Sequence, residues 1–154
     1  MNSFFHFTTV ILEPKSIIRP GNWGFFLRTY DIRNQGHAMM LASEMVLEQI
    51  RQASFPDRPS RLNCNYVFDD EQIARQQRPV NFGLHFRLYE VRLVDKAQKT
   101  HRAAFNLLNA RFPNQGVAYL PYAEDLAHRY WGGSDIQIPE VLTESPIEIV
   151  KALD

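Results

Sequence analysis

The length, composition and charge of this chain exclude several classes of protein. Its 154 residues are 45% hydrophobic and 22% charged with no formal net charge, which is typical of a globular chain rather than a disordered one. We therefore expect residues 1–154 to form a single domain. The longest apolar runs are far shorter than the ~20 residues of a transmembrane helix, so we expect no membrane partner.

A single cysteine and scattered histidines limit the redox and metal chemistry of the chain. Cys64 has no partner for an intramolecular disulfide, which fits a reducing compartment. The N-terminus lacks a basic region followed by a long hydrophobic segment, so the pattern predicts no signal peptide and a cytoplasmic location. The five histidines show no paired spacing of the kind that binds zinc, and we expect no metal.

The charged residues are unevenly distributed along the chain. Residues 51–111 contain 11 basic and 6 acidic side chains, whereas residues 112–154 contain 2 basic and 7 acidic ones. A basic middle segment favours contacts with phosphates. Pairing between the two segments across the fold explains the same distribution at least as well.

The first half of the chain is expected to contain two strands and one long helix. Residues 3–10 form an aromatic strand in this interpretation, and the prolines and glycines of residues 13–24 indicate a structured loop. Residues 38–53 have the strongest helical periodicity. Residues 62–68 are expected to form the second strand.

The second half predicts a mixture of helices and strands in irregular order. We expect a helix at 69–77 with Asp69 as its N-cap, and a strand at 81–94 that allows one slip in register. Residues 101–112 and 122–131 have helical patterns, the second opened by Pro121. Residues 136–144 are expected to form a strand interrupted by Pro139. The irregular order favours an α+β domain without internal repeats.

The first strand carries the earliest candidate for a functional site. In the segment FFHFTT, Phe5 and Phe7 share one strand face, while His6 and Thr8 share the other. An imidazole and a hydroxyl therefore stand together opposite an apolar row. The same pattern also fits an edge strand with a polar outer face.

The last predicted strand carries the second candidate, Glu140. This carboxylate directly follows a proline and is flanked by Ile138, Val141 and Leu142, which indicates an interior strand. A buried carboxylate is costly unless it is paired or hydrogen-bonded. Glu140 is therefore a candidate for a functional role, with a solvent-facing strand residue as the alternative.

Two further segments complete the set of candidates. In PSRLNCNYVF, Tyr66 and Phe68 share a strand face, and Arg61 stands at the strand entrance. In PGNWGFF, glycines flank Asn22 and Trp23, so the backbone is able to approach a ligand closely. An aromatic core strand and an ordinary loop are the alternatives.

Taken in order, these segments resemble the ADP-ribosyltransferase superfamily, particularly its small bacterial toxin-like members. FFHFTTVILEPKSIIRPGNWG is similar to the family's first strand, F-H-x-T, and the loop that follows it, although Glu13-Pro14-Lys15 replaces a small or glycine-containing turn. FPDRPSRLNCNYVFDDEQIAR looks like the family's P-S-R segment with its strand and helix. YWGGSDIQIPEVLTESPIEIV is similar to the strand that presents the catalytic glutamate. The resemblance covers nearly the whole chain.

The resemblance implies a fold, a substrate and a reaction. The fold would be two small packed β-sheets flanked by helices around an NAD cleft. Members of the family break the bond between nicotinamide and ribose in NAD and transfer ADP-ribose to an acceptor. Glu140 would be the catalytic carboxylate, with Glu144 as a rival on the same strand face. NAD enters as a co-substrate, and no metal is implied.

The resemblance also implies roles for the other candidates. His6 and Thr8 would hold the adenosine ribose. Tyr66 would stack on nicotinamide with Phe68 behind it, and Arg61 would neutralise the pyrophosphate. The same cleft would be lined by Asn22 and Trp23.

The acceptor implied by the resemblance is a macromolecule, with nucleic acid favoured over protein. Arginine-modifying relatives carry E-x-E or Q-x-E, whereas the residue two places before Glu140 is Ile138. The basic middle segment points the same way. Such a protein would act as an intracellular toxin or anti-phage effector, with an antitoxin protein as a partner.

Four other functions fit the sequence. The first is an ADP-ribosyltransferase with a protein acceptor, and the second is an NAD glycohydrolase, in which water is the acceptor. An RNA 2′-phosphotransferase, a relative that also handles NAD, would use several arginines and need no catalytic glutamate. A non-catalytic module that binds nucleotides or proteins belongs to a different class, and in it Glu140 would be dispensable for binding.

Overall fold

The computed structural model describes residues 2–154 as an α+β domain with two antiparallel sheets. The strands are Phe4–Thr8 (β1), Ile17–Ile18 (β2), Asn65–Val67 (β3), Arg87–Leu93 (β4), Thr100–Ala104 (β5), Pro139–Thr143 (β6) and Ile147–Ala152 (β7). The helices are Asn22–Leu27 (α1), Gln35–Ser54 (α2), Glu71–Asn81 (α3), Phe105–Asn109 (α4) and Tyr119–Gly132 (α5). The predicted α+β class is confirmed.

The two sheets have the orders β1-β4-β7-β2 and β3-β6-β5, and they are joined at one point. Phe5 of β1 exchanges two backbone hydrogen bonds with Phe68, at 2.9 and 2.8 Å. Because Phe68 directly follows β3, this bridge links the edge of the first sheet to the edge of the second. His6 and Tyr66 are thereby held close to each other.

Three groups of buried side chains stabilise the domain. The largest joins α2 and α5 to the second sheet and includes Leu47, Trp131 and Leu142. A second group lies between the sheets, and a third packs Phe5 and Phe7 of β1 against α3. Phe5 and Phe7 on one face of β1 are therefore buried, while His6 and Thr8 on the other face are half-buried.

Side-chain caps set the starts of two helices and correct the predicted boundaries. α2 begins at Gln35 because the Asn34 side chain accepts a hydrogen bond from the His37 amide at 3.1 Å. α3 is capped by Asp70 and not by Asp69, which instead pairs with Arg102 at 2.8 Å. α3 also continues to Asn81, beyond the predicted end.

The prediction of a helix at 101–112 is wrong. Residues Thr100–Ala104 form β5, which pairs along its whole length with β6, and only Phe105–Asn109 is helical. Ala103 and Ala104 are fully buried in the core, where sheet pairing supplies their backbone hydrogen bonds. Tertiary pairing thus overrides the helical preference of the alanines.

Three strand predictions also change in extent. The segment 62–68 divides into a 3₁₀ turn, Arg61–Asn63, and the short β3. The strand at 81–94 shortens to β4, and its register shifts between Glu90 and Val91, as the alternation allowed. Pro139 begins β6 rather than interrupting it, which agrees with the preference of proline for the first position of a strand.

Two regions resemble their predictions more closely. The loop at 13–24 contains the two-residue β2 and the start of α1. The helix predicted at 122–131 is α5, with Pro121 in its first turn. Between residues 2 and 154, no helix combines the length and apolar character needed to cross a membrane.

Candidate functional site

A cavity of about 520 Å³ opens where β1, β3 and β6 meet α1 and the segment after α3. It is lined by six of the residues that the sequence singled out: His6, Trp23, Arg61, Tyr66, Phe68 and Glu140. Further aromatic rings complete its wall: Phe7, Phe26, Phe82, Phe86 and Phe105. The volume falls in the range of about 300–1,000 Å³ that is common for small-molecule sites.

His6 lines this cavity and binds the fold through one ring nitrogen. Its Nδ1 lies 2.7 Å from the backbone carbonyl oxygen of Tyr66. A carbonyl only accepts hydrogen bonds, so Nδ1 carries the proton in this contact and Nε2 is the acceptor of the neutral ring. Burial lowers the pKa of His6, although the Tyr66 carbonyl opposes that effect. The imidazole is therefore neutral at physiological pH.

Tyr66 is fixed by Arg61 at both ends of its side chain. The phenol donates a hydrogen bond to the Arg61 carbonyl, and the Arg61 guanidinium carbon lies 5.0 Å from the centre of the Tyr66 ring. Burial raises the pKa of Tyr66 well above its ordinary value, so the phenol stays protonated. One face of the ring packs on a cation, and the stacking predicted for nicotinamide requires the other face.

Glu140 lies on β6 with only 3% of its surface exposed. Its Oε1 accepts a hydrogen bond from the Tyr130 hydroxyl at 2.8 Å and lies 3.4 Å from Nη1 of Arg61. Burial raises the pKa of Glu140 above its ordinary value. The positive charge of Arg61 and the hydrogen bond from the Tyr130 hydroxyl oppose this rise. Oε2 accepts no hydrogen bond from any residue between 2 and 154, which leaves this oxygen for a ligand.

The charge that balances Arg61 comes from Glu44 on α2, a residue that sequence reasoning missed. Glu44 accepts hydrogen bonds from Nε of Arg61 at 3.0 and 3.2 Å and from Nη2 at 3.0 Å. Burial raises the pKa of Glu44, but the charges and hydrogen bonds of Arg61 and Arg111 outweigh it, so the pKa lies below its ordinary value. The guanidinium fork of Arg61 thus grips Glu44, which leaves less of it for the predicted contact with a pyrophosphate.

A sequence signal for Glu44 existed but was weak. The helical periodicity of residues 38–53 did not by itself identify the buried face, and Met45 within this helix is 48% exposed. The buried face instead contains Ser43, Glu44, Val46 and Leu47. A glutamate next to the Val46–Leu47 pair was the available clue to a buried carboxylate.

Arg111 is the second cation of the cavity and was also missed. Its Nη1 donates to Glu44 at 3.1 Å, and its Nε donates to the Leu108 carbonyl at 3.0 Å. Nη2 donates no hydrogen bond to any residue in the described range 2–154. Arg111 therefore lines the cavity with unused donors, which Arg61 largely lacks.

Trp23 brings a further unused donor to the same wall. Its indole N–H is buried and makes no hydrogen bond of acceptable geometry within residues 2–154. It nevertheless lies close enough to the Glu44 carboxylate to contribute to the lowered pKa of Glu44. A buried donor without a good partner is unusual in a native protein and indicates a place for a ligand oxygen or a water molecule.

Three of the sequence candidates lie outside the cavity. Thr8 shares a strand face with His6, but its hydroxyl accepts a local hydrogen bond from the Val10 amide at 3.3 Å. Asn22 is exposed at the start of α1. Glu144 follows β6, and its amide donates to the Lys99 carbonyl at 3.0 Å. Between the two rival carboxylates, the structure presents only Glu140 to the cavity.

Comparison with protein families gives one match, over residues 25–154, to a family described as "Protein of unknown function (DUF2441)". This chain belongs to the DUF2441 family. No curated protein matches the sequence. The DUF2441 match includes four of the candidate residues, Arg61, Tyr66, Phe68 and Glu140, and begins after the other four, His6, Thr8, Asn22 and Trp23.

Ion pairs neutralise much of the basic charge in residues 51–111 of this DUF2441 protein. Three arginines of the basic segment pair with carboxylates of the acidic C-terminal segment: Arg61 with Glu140, Arg78 with Asp154 and Arg92 with Glu148. Four others pair within or near their own segment: Arg51, Arg75, Arg102 and Arg111. The interpretation that the segments pair across the fold is therefore observed, and the charge argument for phosphate contacts is weakened.

Two other groups near the site have structural roles in this DUF2441 protein. Ile138, two places before Glu140, packs in the core against the Phe5 and Phe7 group. Cys64 is buried, and burial raises the pKa of its thiol to about 12, so it does not provide a thiolate nucleophile. Within residues 2–154, no three side chains of His, Cys, Asp or Glu lie together in a way that could hold a metal ion.

Proposed function

We propose that this DUF2441 protein is an NAD-dependent mono-ADP-ribosyltransferase. One observation carries the proposal: His6, Tyr66 and Glu140, which are far apart in sequence, line a single cavity. These are the three residues for which the resemblance implies contacts with ribose, nicotinamide and the reacting ribose. The reaction needs these three residues in one place, and the Phe5–Phe68 bridge and the pairing of β3 with β6 bring them there.

The chemistry of the cavity wall fits the parts of an NAD molecule. Its aromatic rings offer stacking surfaces for flat heterocycles, and Nε2 of His6 is free to accept a hydrogen bond from a ribose hydroxyl. The spare donors of Arg111 are suited to phosphate oxygens. We therefore assign the phosphate contact to Arg111 in preference to Arg61, whose donors already bind Glu44 and Tyr130.

The proposed reaction breaks the bond between C1′ of the ribose and the nicotinamide nitrogen. Nicotinamide leaves with the bonding electron pair and becomes neutral, while positive charge develops on the ribose as an oxocarbenium ion. The ionised Glu140 carboxylate offsets that charge, and its free Oε2 accepts a hydrogen bond from the ribose 2′-hydroxyl. The acceptor then forms a bond to C1′ and releases its proton to solvent.

We retain a nucleic acid as the preferred acceptor, on a narrower basis than the sequence suggested. The position two residues before Glu140 is filled by Ile138, whose side chain packs in the core and offers no polar group to orient an arginine. The net basic charge no longer adds to this argument, because many of the arginines are paired. A role as an intracellular toxin or anti-phage effector with an antitoxin partner belongs to the same proposal.

The test is to incubate purified protein with labelled NAD and a cell lysate and to follow both label transfer and nicotinamide release. Glu140→Gln should reduce both by a factor on the order of 10²–10³. Glu144→Gln is the matched control, since this carboxylate lies four residues away and outside the cavity. It should retain activity close to that of the wild type.

The fate of the label identifies the acceptor. Label removed by nuclease indicates nucleic acid, label removed by protease indicates protein, and nicotinamide release without macromolecular label indicates a glycohydrolase. If neither the wild type nor Glu140→Gln turns NAD over and the variant still binds NAD, the protein is a nucleotide-binding module and not an enzyme. Absence of both binding and turnover would overturn the proposal.

A further inference from the structure

A continuous chain of buried polar groups lies behind the Glu140 carboxylate. It runs from Glu44 on α2 through Arg61 and Tyr130 to Glu140 on β6. None of these four side chains is more than 5% exposed, and they come from four separate elements of the fold. This series of hydrogen-bonded side chains therefore forms only in the complete tertiary structure.

At the cavity end of this series of polar groups, Tyr130 and Arg61 both contact the same oxygen of Glu140, Oε1. Nη1 of Arg61 donates to the Tyr130 hydroxyl oxygen at 2.8 Å, and that hydroxyl donates to Oε1 at 2.8 Å. Arg61 itself is 3.4 Å from the same oxygen. Glu140 lines the cavity, and because Oε1 is already held by these two groups, we assign Oε2 as the oxygen available to a ligand.

The cost of this arrangement suggests a purpose beyond stability. Buried ion pairs can often be replaced by apolar side chains of similar volume without loss of stability. Here two carboxylates, a guanidinium and a phenol are buried together, and the only member with an unused acceptor on the cavity is Glu140. The hydrogen bonds to Glu44 hold Arg61 in place, and Arg61 in turn orients the hydroxyl of Tyr130.

We propose that Tyr130 is a positioning residue for Glu140, oriented through Arg61 by the buried Glu44. This inference rests on the proposed function, since it concerns how the carboxylate of that site is held. Tyr130 does not line the cavity, and it acts only through Glu140. Its hydroxyl stabilises the ionised carboxylate and selects the orientation in which Oε2 meets the substrate.

Tyr130→Phe removes the hydroxyl and keeps the ring. The edge-on packing of this ring against Trp131 is therefore preserved. The Glu140 carboxylate loses one of the three groups that favour its ionised form, Arg61, Tyr130 and Arg111, so its pKa rises further. The acid limb of the activity profile moves to higher pH in the same direction. At the optimum, kcat falls on the order of 10–100-fold while KM for NAD changes little, because the lost contact only orients the carboxylate.

The experiment measures nicotinamide release from NAD across pH 4.5–9 for wild type and Tyr130→Phe. Tyr122→Phe is the control, because it deletes a hydroxyl from the same helix that donates to the Ala110 carbonyl and not to the buried chain. We expect an unchanged pH profile for the control and a shifted one for Tyr130→Phe. An unchanged profile and kcat for Tyr130→Phe would overturn the inference while leaving the proposed function intact.

A second measurement does not depend on catalysis. The Glu140 carboxyl resonance, assigned from its loss in Glu140→Gln, is titrated by ¹³C NMR in wild type and Tyr130→Phe. The pKa of Glu140 should be higher in the variant even if NAD is not the substrate, and equal values would overturn the positioning role. Failure of the proposed function alone would leave this shift in place.

Site-specific incorporation of 3-fluorotyrosine at position 130 gives a change of opposite sign with the hydroxyl retained. A fluorinated phenol is more acidic and donates a stronger hydrogen bond, so the pKa of Glu140 should fall and the acid limb should move to lower pH. This substitution keeps both hydrogen-bonding partners and therefore addresses the case in which Tyr130→Phe does not fold. A shift in the same direction as Tyr130→Phe, or none, would contradict the mechanism.

Discussion

Glu44→Gln should be among the most destabilising single substitutions in this protein. The Glu44 side chain is fully buried and accepts hydrogen bonds from both Arg61 and Arg111. Glutamine keeps the volume but removes the negative charge, which leaves two buried guanidinium groups with Glu140 as their remaining counter-charge. Breaking a buried ion pair in this way costs about 3–5 kcal/mol. That is a large part of the roughly 5–15 kcal/mol by which a typical domain is stable.

Urea unfolding followed by tryptophan fluorescence measures this loss, since Trp131 is fully buried in the main core. With a denaturant slope of about 2 kcal/mol per molar urea, the midpoint should fall by roughly 2 M at pH 7. The matched control is Glu48→Gln on the same helix, whose partner Arg51 lies at 2.8 Å in a more exposed position. Its loss should be about 1 kcal/mol.

The pH dependence supplies an independent check on the sign. The pKa of Glu44 is lowered in the folded state, so its contribution is fully present above the ordinary glutamate value and declines as the pH falls through the folded pKa. The difference between wild type and Glu44→Gln should therefore narrow in acid. A midpoint shift no larger than that of Glu48→Gln, or one independent of pH, would refute the electrostatic account.

Two further predictions concern α1 and β1. Gly24→Ala should cost about 2–3 kcal/mol of stability, because a Cβ there would press against the Leu62 carbonyl oxygen and push away the helix that carries Trp23. Under the proposed function, it should also weaken NAD binding. Thermal melting and calorimetry compare it with Gly132→Ala, where the nearest atom is 3.9 Å away, and equal stability of the two variants would contradict the prediction. The pKa of the buried His6 imidazole is lowered, so the unfolded chain takes up the proton first and wild-type stability falls as the pH drops from 7 to 5. His6→Asn should reduce the slope of this fall by up to about 1.4 kcal/mol per pH unit. Urea unfolding at several pH values measures the slope, which must differ from that of the wild type for the assignment to stand.

The sequence was sufficient to predict the residues of the site that follow local patterns. Alternation in β1 placed His6 opposite Phe5 and Phe7, and the apolar flanks of Glu140 indicated an interior strand. The fold class followed in the same way from the order of periodic segments. These predictions depend on neighbours one or two residues away, which periodicity records.

The remaining features depend on contacts between distant segments, which local patterns do not record. Arg61 and Glu44 are neighbours only because α2 packs behind the 3₁₀ turn, and Arg111 reaches Glu44 from the end of α4. The helix predicted at 101–112 failed for the same reason, because pairing with β6 decides the conformation of Ala103. The sequence around Arg61 is the same whether its guanidinium is free or bound to a carboxylate. The expected contact with a pyrophosphate therefore could not take the pairing with Glu44 into account.

The backbone bridge between Phe5 and Phe68 constrains how this protein can respond to different ligands. His6 follows one residue of the bridge, and Phe68 itself lines the cavity, so two walls of the site belong to one hydrogen-bonded unit. Those walls can separate only if main-chain hydrogen bonds break. Two parts of the lining lie outside this unit, the short α1 with Trp23 and Phe26 and the segment that contains Phe82 and Phe86. We expect adaptation to a larger or differently shaped ligand to occur there. Evolution of specificity in this architecture would be concentrated in those two connecting regions, while the bridged strands keep the reactive groups in a constant frame.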